Sequence, residues 1–134
     1  MLNPLIKRHY FVGILLLLIL NSPISFCQAP YKFNYQGIAR DEAGNPMNNQ
    51  AISIDLFILN DPNASNAEYE EIHVLQTNEF GLYQLQIGNG TARNGRMEQV
   101  KWEQGNKFIK VAIDPKGGNQ FLPAGTTPLL SVPY

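Results

Sequence analysis

Apolar positions along this chain recur mostly every second residue. In Ala51–Leu59, Ile52, Ile54, Leu56 and Ile58 alternate with Ser53, Asp55 and Phe57. A period of two places the four aliphatic side chains on one face of an extended strand. Each contributes about 1.5–3 kcal/mol when fully buried, so this segment is expected at the centre of a core. Leu82–Ile87 has the same alternation. Tyr83, Leu85 and Ile87 point one way and Gln84 and Gln86 the other, after a tight connection, Asn78–Gly81, in which Gly81 supplies the turn.

The same reading predicts a strand over Tyr31–Arg40, with Phe33, Tyr35 and Gly37 on one side. It predicts another over Glu68–Thr77, with Ile72 and Val74 facing the core and Tyr69, Glu71, His73 and Leu75 opposite. Lys107–Asp114 carries Ile109, Val111 and Ile113. Phe121–Pro123 and Leu129–Val132 are expected as two final short strands. Asp, Asn, Gly and Pro clusters at Asp41–Pro46, Asn60–Asn66 and Asp114–Asn119 read as turns. Gly88–Arg96 reads as a loop, and Met97–Glu103 as a single helical turn tucking Met97, Val100 and Trp102 inward. The short link between the strands at Glu68–Thr77 and Leu82–Ile87 predicts an antiparallel hairpin. Without crossover helices, parallel pairing has no route. The expected fold is all-β: an antiparallel β-sandwich of about seven short strands, Ig-like or transthyretin-like.

The first residues follow a different pattern. Lys7, Arg8 and His9 precede an apolar run from Tyr10 to Leu20, broken by Asn21, Ser22 and Pro23. A basic start, an apolar middle and small residues at the exit make the layout of a secretory signal. The expected organisation is a hydrophobic signal helix within residues 1–27, cut between Cys27 and Gln28, then one β domain over 28–134. The apolar run is shorter than the about 20 residues a spanning helix needs, so membrane contact is expected only through the signal before cleavage. Acylation of Cys27 is the lipoprotein alternative, and Phe26 is an unsuitable neighbour for it. Loss of Lys7 and Arg8 leaves 8 basic against 11 acidic residues, which argues against a nucleic-acid partner. Lys101, Lys107, Lys110 and Lys116 read as solvated charge. Cys27 is the only cysteine, so no disulfide can form within the chain.

Several segments resemble a known module. They are Phe33-Asn34-Tyr35-Gln36-Gly37-Ile38-Ala39-Arg40-Asp41 with Gly44-Asn45-Pro46, and Thr77-Asn78-Glu79-Phe80-Gly81-Leu82 with Ile87-Gly88-Asn89-Gly90. Lys110-Val111-Ala112-Ile113-Asp114-Pro115 and Leu129-Leu130-Ser131-Val132-Pro133-Tyr134 complete the set. Together they are similar to the N-terminal β domain of secreted, modular surface proteins of Bacteroidota. Asn78–Tyr83 is also similar to transthyretin-like and collagen-adhesin repeat modules. The resemblance implies a secreted or cell-surface location, no catalytic activity in the module itself, and a following region. Relatives continue where this chain stops at Tyr134, so the resemblance implies truncation there.

Catalytic chemistry finds no foothold. A Ser-His-Asp site needs a base beside its nucleophile, and His73, the only histidine after the signal, reads as a solvent-facing strand residue. One histidine cannot build a zinc site. Asp41, Glu42 and Asn45 in one turn, and Asp61, Asn63 and Asn66 in another, could offer oxygen ligands to calcium; all are also ordinary turn formers. Gly88-Asn89-Gly90 and Gly117-Gly118 open no helix, which argues against a phosphate cradle. Glu68 and Glu70 read as charge that keeps a sheet edge soluble rather than as a glycosidase pair. No catalytic, cofactor or metal residue is therefore expected. The expected role is a non-enzymatic structural or spacer module. The alternative is a carbohydrate- or protein-binding, adhesin-type module presenting Tyr31, Tyr35, Tyr69 and Tyr83 to a glycan or a surface protein. A third expectation is strand addition at an open sheet edge, with Leu129–Val132 as the continuing strand and a following domain as partner.

Overall fold

The computed structural model describes residues 31–130. The signal segment, the Cys27–Gln28 junction and residues 131–134 lie outside the described residues. Seven strands follow in order: β1 (Phe33–Ile38), β2 (Ala51–Leu59), β3 (Tyr69–Gln76), β4 (Leu82–Ile87), β5 (Thr91–Asn94), β6 (Lys107–Asp114) and β7 (Leu122–Leu129). All pairings are antiparallel. They form a two-stranded sheet, β1-β4, and a five-stranded sheet, β5-β3-β2-β6-β7. The fold is all-β, with one core shared by two layers.

β2 lies at the centre, paired with β3 on one side and β6 on the other. Its inward residues Ile52, Ile54, Leu56 and Ile58 are all but sealed from water. They meet Ile109, Val111 and Ile113 of β6, and Tyr83, Leu85 and Ile87 of β4 in the opposite layer. The alternation therefore places these three strands correctly. Because β2 has a neighbour on both sides, its outward Ser53 and Asp55 are covered as well.

β3 faces opposite to expectation. Tyr69 and Glu71 are buried, whereas Val74 is 72% exposed. Aliphatic character favours the Ile72–Val74 face. The carboxylate of Glu71, however, finds four donors on the inner side, and a satisfied buried polar group outweighs one exposed valine.

β3 and β4 do not form a hairpin. β3 pairs with β2 and β5, and β4 pairs with β1, so the short link Thr77–Gly81 crosses between layers. Asn78 closes this link by accepting the N–H groups of Phe80 and Leu82 at 2.9 Å on its Oδ1. Gly81 takes φ +74°, and a Cβ there would lie 3.0 Å from the Ala39 carbonyl oxygen. The turn is thus sharp enough to change sheets.

Three further segments differ from the sequence reading. Thr91–Asn94, expected as loop, is the short edge strand β5. The strand expected at Phe121–Pro123 belongs to a longer one, β7, which carries Pro123 and Pro128 and includes Leu129, the first residue of the other expected strand; residues 131–132 of that strand lie outside the described residues. The turn after β5 is a 3-10 turn over Met97–Gln99; Met97 and Val100 are buried, while Trp102 stays 38% exposed, edge-on to Phe33 at 6.0 Å between ring centres. Trp102 borders the core and does not plug it.

The β2 and β3 assignments give a direct contrast. Ile54→Ala should lower unfolding free energy by about 2–4 kcal/mol, as buried aliphatic truncations do. Val74→Ala should stay within about 0.5 kcal/mol, as expected of an exposed position. Urea unfolding of both variants measures the difference.

Candidate functional site

Tyr69, Glu71 and His73 occupy alternate positions of β3, so their side chains share its inner face. Glu71 is fully buried. Its Oε2 accepts the Tyr69 hydroxyl at 2.8 Å and the Gly90 N–H at 2.8 Å. Its Oε1 accepts the Gly88 N–H at 2.9 Å and lies 3.0 Å from His73 Nε2. Burial works to raise the Glu71 pKa, but the bonds from His73, Gly88, Tyr69 and Gly90 outweigh it and hold the carboxyl below its usual value. The same carboxylate, after burial, pushes the Tyr69 hydroxyl strongly upward.

Gly88 and Gly90, which the sequence reads as no phosphate cradle, hold an anion of the chain's own, the Glu71 carboxylate. Gly88 adopts φ +89°, and a Cβ on it would lie 2.3 Å from the Tyr31 carbonyl oxygen. A Cβ on Gly90 would meet His73 Nε2 at 2.7 Å and Glu71 Oε2 at 2.9 Å. Both glycines are therefore required by close approach, not by a ligand. His73 is mostly buried, with 13% of its side chain exposed. It faces inward and not toward solvent.

The other buried charges are similarly occupied, Asp55 in part excepted. Lys107 is 3% exposed and donates to Glu68 Oε1 at 2.8 Å; of the four lysines expected to be solvated, this one is not. Glu68 also accepts the Lys101 N–H. Glu70 lies 3.5 Å from Arg93 of β5, which covers the edge of β3, so it guards no open edge. Arg93 also lies 3.4 Å from Asp55 Oδ2. Asp55 Oδ1 and Ser53 Oγ have no protein partner. Burial first, and the charge of Glu70 second, raise the Asp55 pKa to about 6, against the pull of Arg93 and Lys110.

The four candidate ligand-facing tyrosines are not brought together on one surface. Tyr69 is 3% and Tyr83 4% exposed, Tyr35 is half-buried, and only Tyr31 is exposed. Tyr35 and Tyr83 pack at 6.4 Å between ring centres. Tyr83 lies across from Gly37, where any Cβ would meet its hydroxyl at 2.5 Å.

The candidate calcium turns use their carboxylates internally. Asp41 Oδ1 accepts the Asn45 N–H at 2.8 Å, and Asp61 Oδ1 the Asn63 N–H at 2.8 Å. Glu42 and Asn66 are exposed. Asp114 likewise caps its turn through the Lys116 and Gln120 N–H groups. Among the described residues no three His, Cys, Asp or Glu side chains gather as a metal set. A groove of about 570 Å³ lies where Met47, Ile113 and Leu122 meet the Arg40–Ala43 turn.

Two predictions follow from the buried carboxylates, with opposite signs. The lowered Glu71 pKa contributes stability that is present above the unfolded value and lost as pH falls through the folded one. Glu71→Gln turns an amide N–H₂ toward donors and should cost about 3 kcal/mol at pH 7, with a smaller cost in acid, read by denaturant melts across pH. The raised Asp55 pKa works against folding above about pH 6. Asp55→Asn should therefore stabilise the protein by about 1–2 kcal/mol at pH 7–8, the gain vanishing near pH 4.

Comparison with curated proteins and with solved structures returned no match. A model of a family described as a domain of unknown function, DUF8740, matches residues 34–127, which run from β1 to near the end of β7. The match covers well over half of the chain, which thus belongs to the DUF8740 family.

Proposed function

We propose that this chain is a non-enzymatic, exported structural module, a folded spacer of a cell-surface protein. The observation that carries the reading is where its buried ionisable groups are committed. Glu71 fastens the β4–β5 turn, Asp114 caps the β6–β7 turn, and Lys107 pairs with Glu68. A general base must be within reach of the proton it removes. His73, the one histidine of the domain, instead faces Glu71 beneath Gly90. Export is supported by the basic-then-apolar layout of residues 7–20, and the absence of a second cysteine fits a core that holds without sulfur bridges.

The binding alternative draws on a narrower observation. Tyr31 and Trp102 are each 38% exposed; Tyr31 lies two residues before Phe33 in the chain, and Trp102 packs edge-on against Phe33. That pair, and not the four tyrosines, is the aromatic surface a glycan could stack on.

Two measurements test the reading. Mass spectrometry of the exported protein should find its N-terminus at Gln28; an intact residue 1 in the exported fraction contradicts export by cleavage. Broad glycosidase, esterase and peptidase screens should return no turnover. Any activity lost on His73→Ala, with the fold retained, overturns the structural role. A glycan-array signal abolished by Trp102→Ala would favour the binding alternative.

A further inference from the structure

The two layers are unequal, and the inequality leaves a lane. Ile109, Val111 and Ile113 of β6 are buried by the opposite layer. Directly across the ladder, Thr127, Gly125 and Leu122 of β7 point to the same face, yet all three are exposed. The two-stranded layer therefore stops above β6, and among the described residues β7 has no strand opposite it. β1 forms the border of this lane. β4 is tied toward β3 by the Asn78 N–H bond to the Leu82 carbonyl and by the Gly88 N–H bond to Glu71. The turn after β1 shares the Met47–Ile113–Leu122 groove with the start of β7.

The edges differ in how they are protected. β7 carries two prolines and a register shift, and β5 is four residues long with Arg93. Prolines, bulges, charge and brevity are the usual ways to blunt an edge. β1, Phe-Asn-Tyr-Gln-Gly-Ile, has none of them. The Ala39 N–H bonds the Gly81 carbonyl, so odd-numbered residues of β1 face β4 in the ladder. By the alternation of antiparallel pairing, the N–H and C=O groups of Asn34, Gln36 and Ile38 point to the outer edge. No described strand pairs with them.

We propose that this lane accepts a single extended, uncharged peptide segment of another polypeptide, added as a strand on β1 above β7. Its class follows from shape and charge. A second copy pairing β1 to β1 about a two-fold axis would bring its own overhanging β7 to where β6 already lies, about one strand spacing of 4.8 Å beyond β1. An isolated strand has no such overhang. β1 and β7 contain no charged residue, so a charged side chain along the lane would lose hydration without gaining a partner there; Arg40, Asp41 and Glu42 line only the groove at its end. Gly125 and Thr127 leave room beneath the strand, and the groove floored by Met47, Ile113 and Leu122 takes one apolar side chain at the lane's end. This is strand addition, with main-chain bonds for affinity and alternate side chains for selectivity.

The test is selection of a phage-displayed library of random linear dodecapeptides on the folded protein. Hydrogen exchange of the Asn34, Gln36 and Ile38 amides is then measured with the enriched peptide added as a synthetic compound. The expected result is enrichment of uncharged sequences with apolar residues at alternate positions, and at least tenfold slower exchange at those three amides. Affinity should fall at least tenfold in Thr127→Arg, which fills the lane from the exposed strand, and in Gln36→Pro, which deletes an outward N–H. Thr127→Arg keeps the test decisive if Gln36→Pro fails to fold. No enrichment, binding unaffected by Thr127→Arg, or a homodimer in which the same three amides are already protected would each overturn the proposal.

Discussion

One carboxylate inside the molecule constrains the path of three strands. An ionised carboxylate buried without partners is costly enough that folding would avoid it. Glu71 is tolerable only because Tyr69, His73 and the N–H groups of Gly88 and Gly90 all converge on it. That convergence fixes which face of β3 is inside. It also fixes the sharp return from β4 in one sheet to β5 in the other. The two glycines are the counterpart of this requirement, because a side chain on either would collide with the backbone or with the cluster.

The rest of the domain is arranged around that return. Asn78 and Gly81 carry the chain from the large sheet to the small one, and Gly88 and Gly90 carry it back. Between them β4 presents Tyr83, Leu85 and Ile87 to the core and pairs with β1. A layer of only two strands covers β2 and β6 but not β7, which is why β7 is exposed along its whole length apart from Leu129. Proline and a register shift fit an edge strand left in that position.

Legibility in the sequence followed the strength of the periodic signal. β2, β4 and β6 have three or four aliphatic or aromatic residues at strict alternation, and their inward faces are as the pattern requires. β3 misled because its alternating sets are mixed. Ile72 and Val74 are the more apolar set, and only the spatial approach of the Gly88–Gly90 turn makes the Tyr69–Glu71 set the buried one. The sequence does carry one signal: two glycines flanking one residue, Gly88-Asn89-Gly90, mark a close backbone approach. The layer crossing at Thr77–Gly81 is hidden because a five-residue link suits a hairpin as well as a crossover. β5 was hidden because Thr-Ala-Arg-Asn has no buried residue at all. The buried Lys107 could not be told from solvated lysines until Glu68 was placed beside it. The four tyrosines are candidates by residue type alone, and type does not distinguish a ring that fills a core from one that faces a ligand.

The central claim is that the Glu71 carboxylate clamps the β4–β5 turn as firmly as the core holds itself. Native-state hydrogen exchange at the Gly88 and Gly90 amides tests it most directly. The account predicts that both exchange only through global unfolding, with the same opening free energy as the amides of β2. Exchange at the rate of an open surface loop, with β2 still protected, would contradict it.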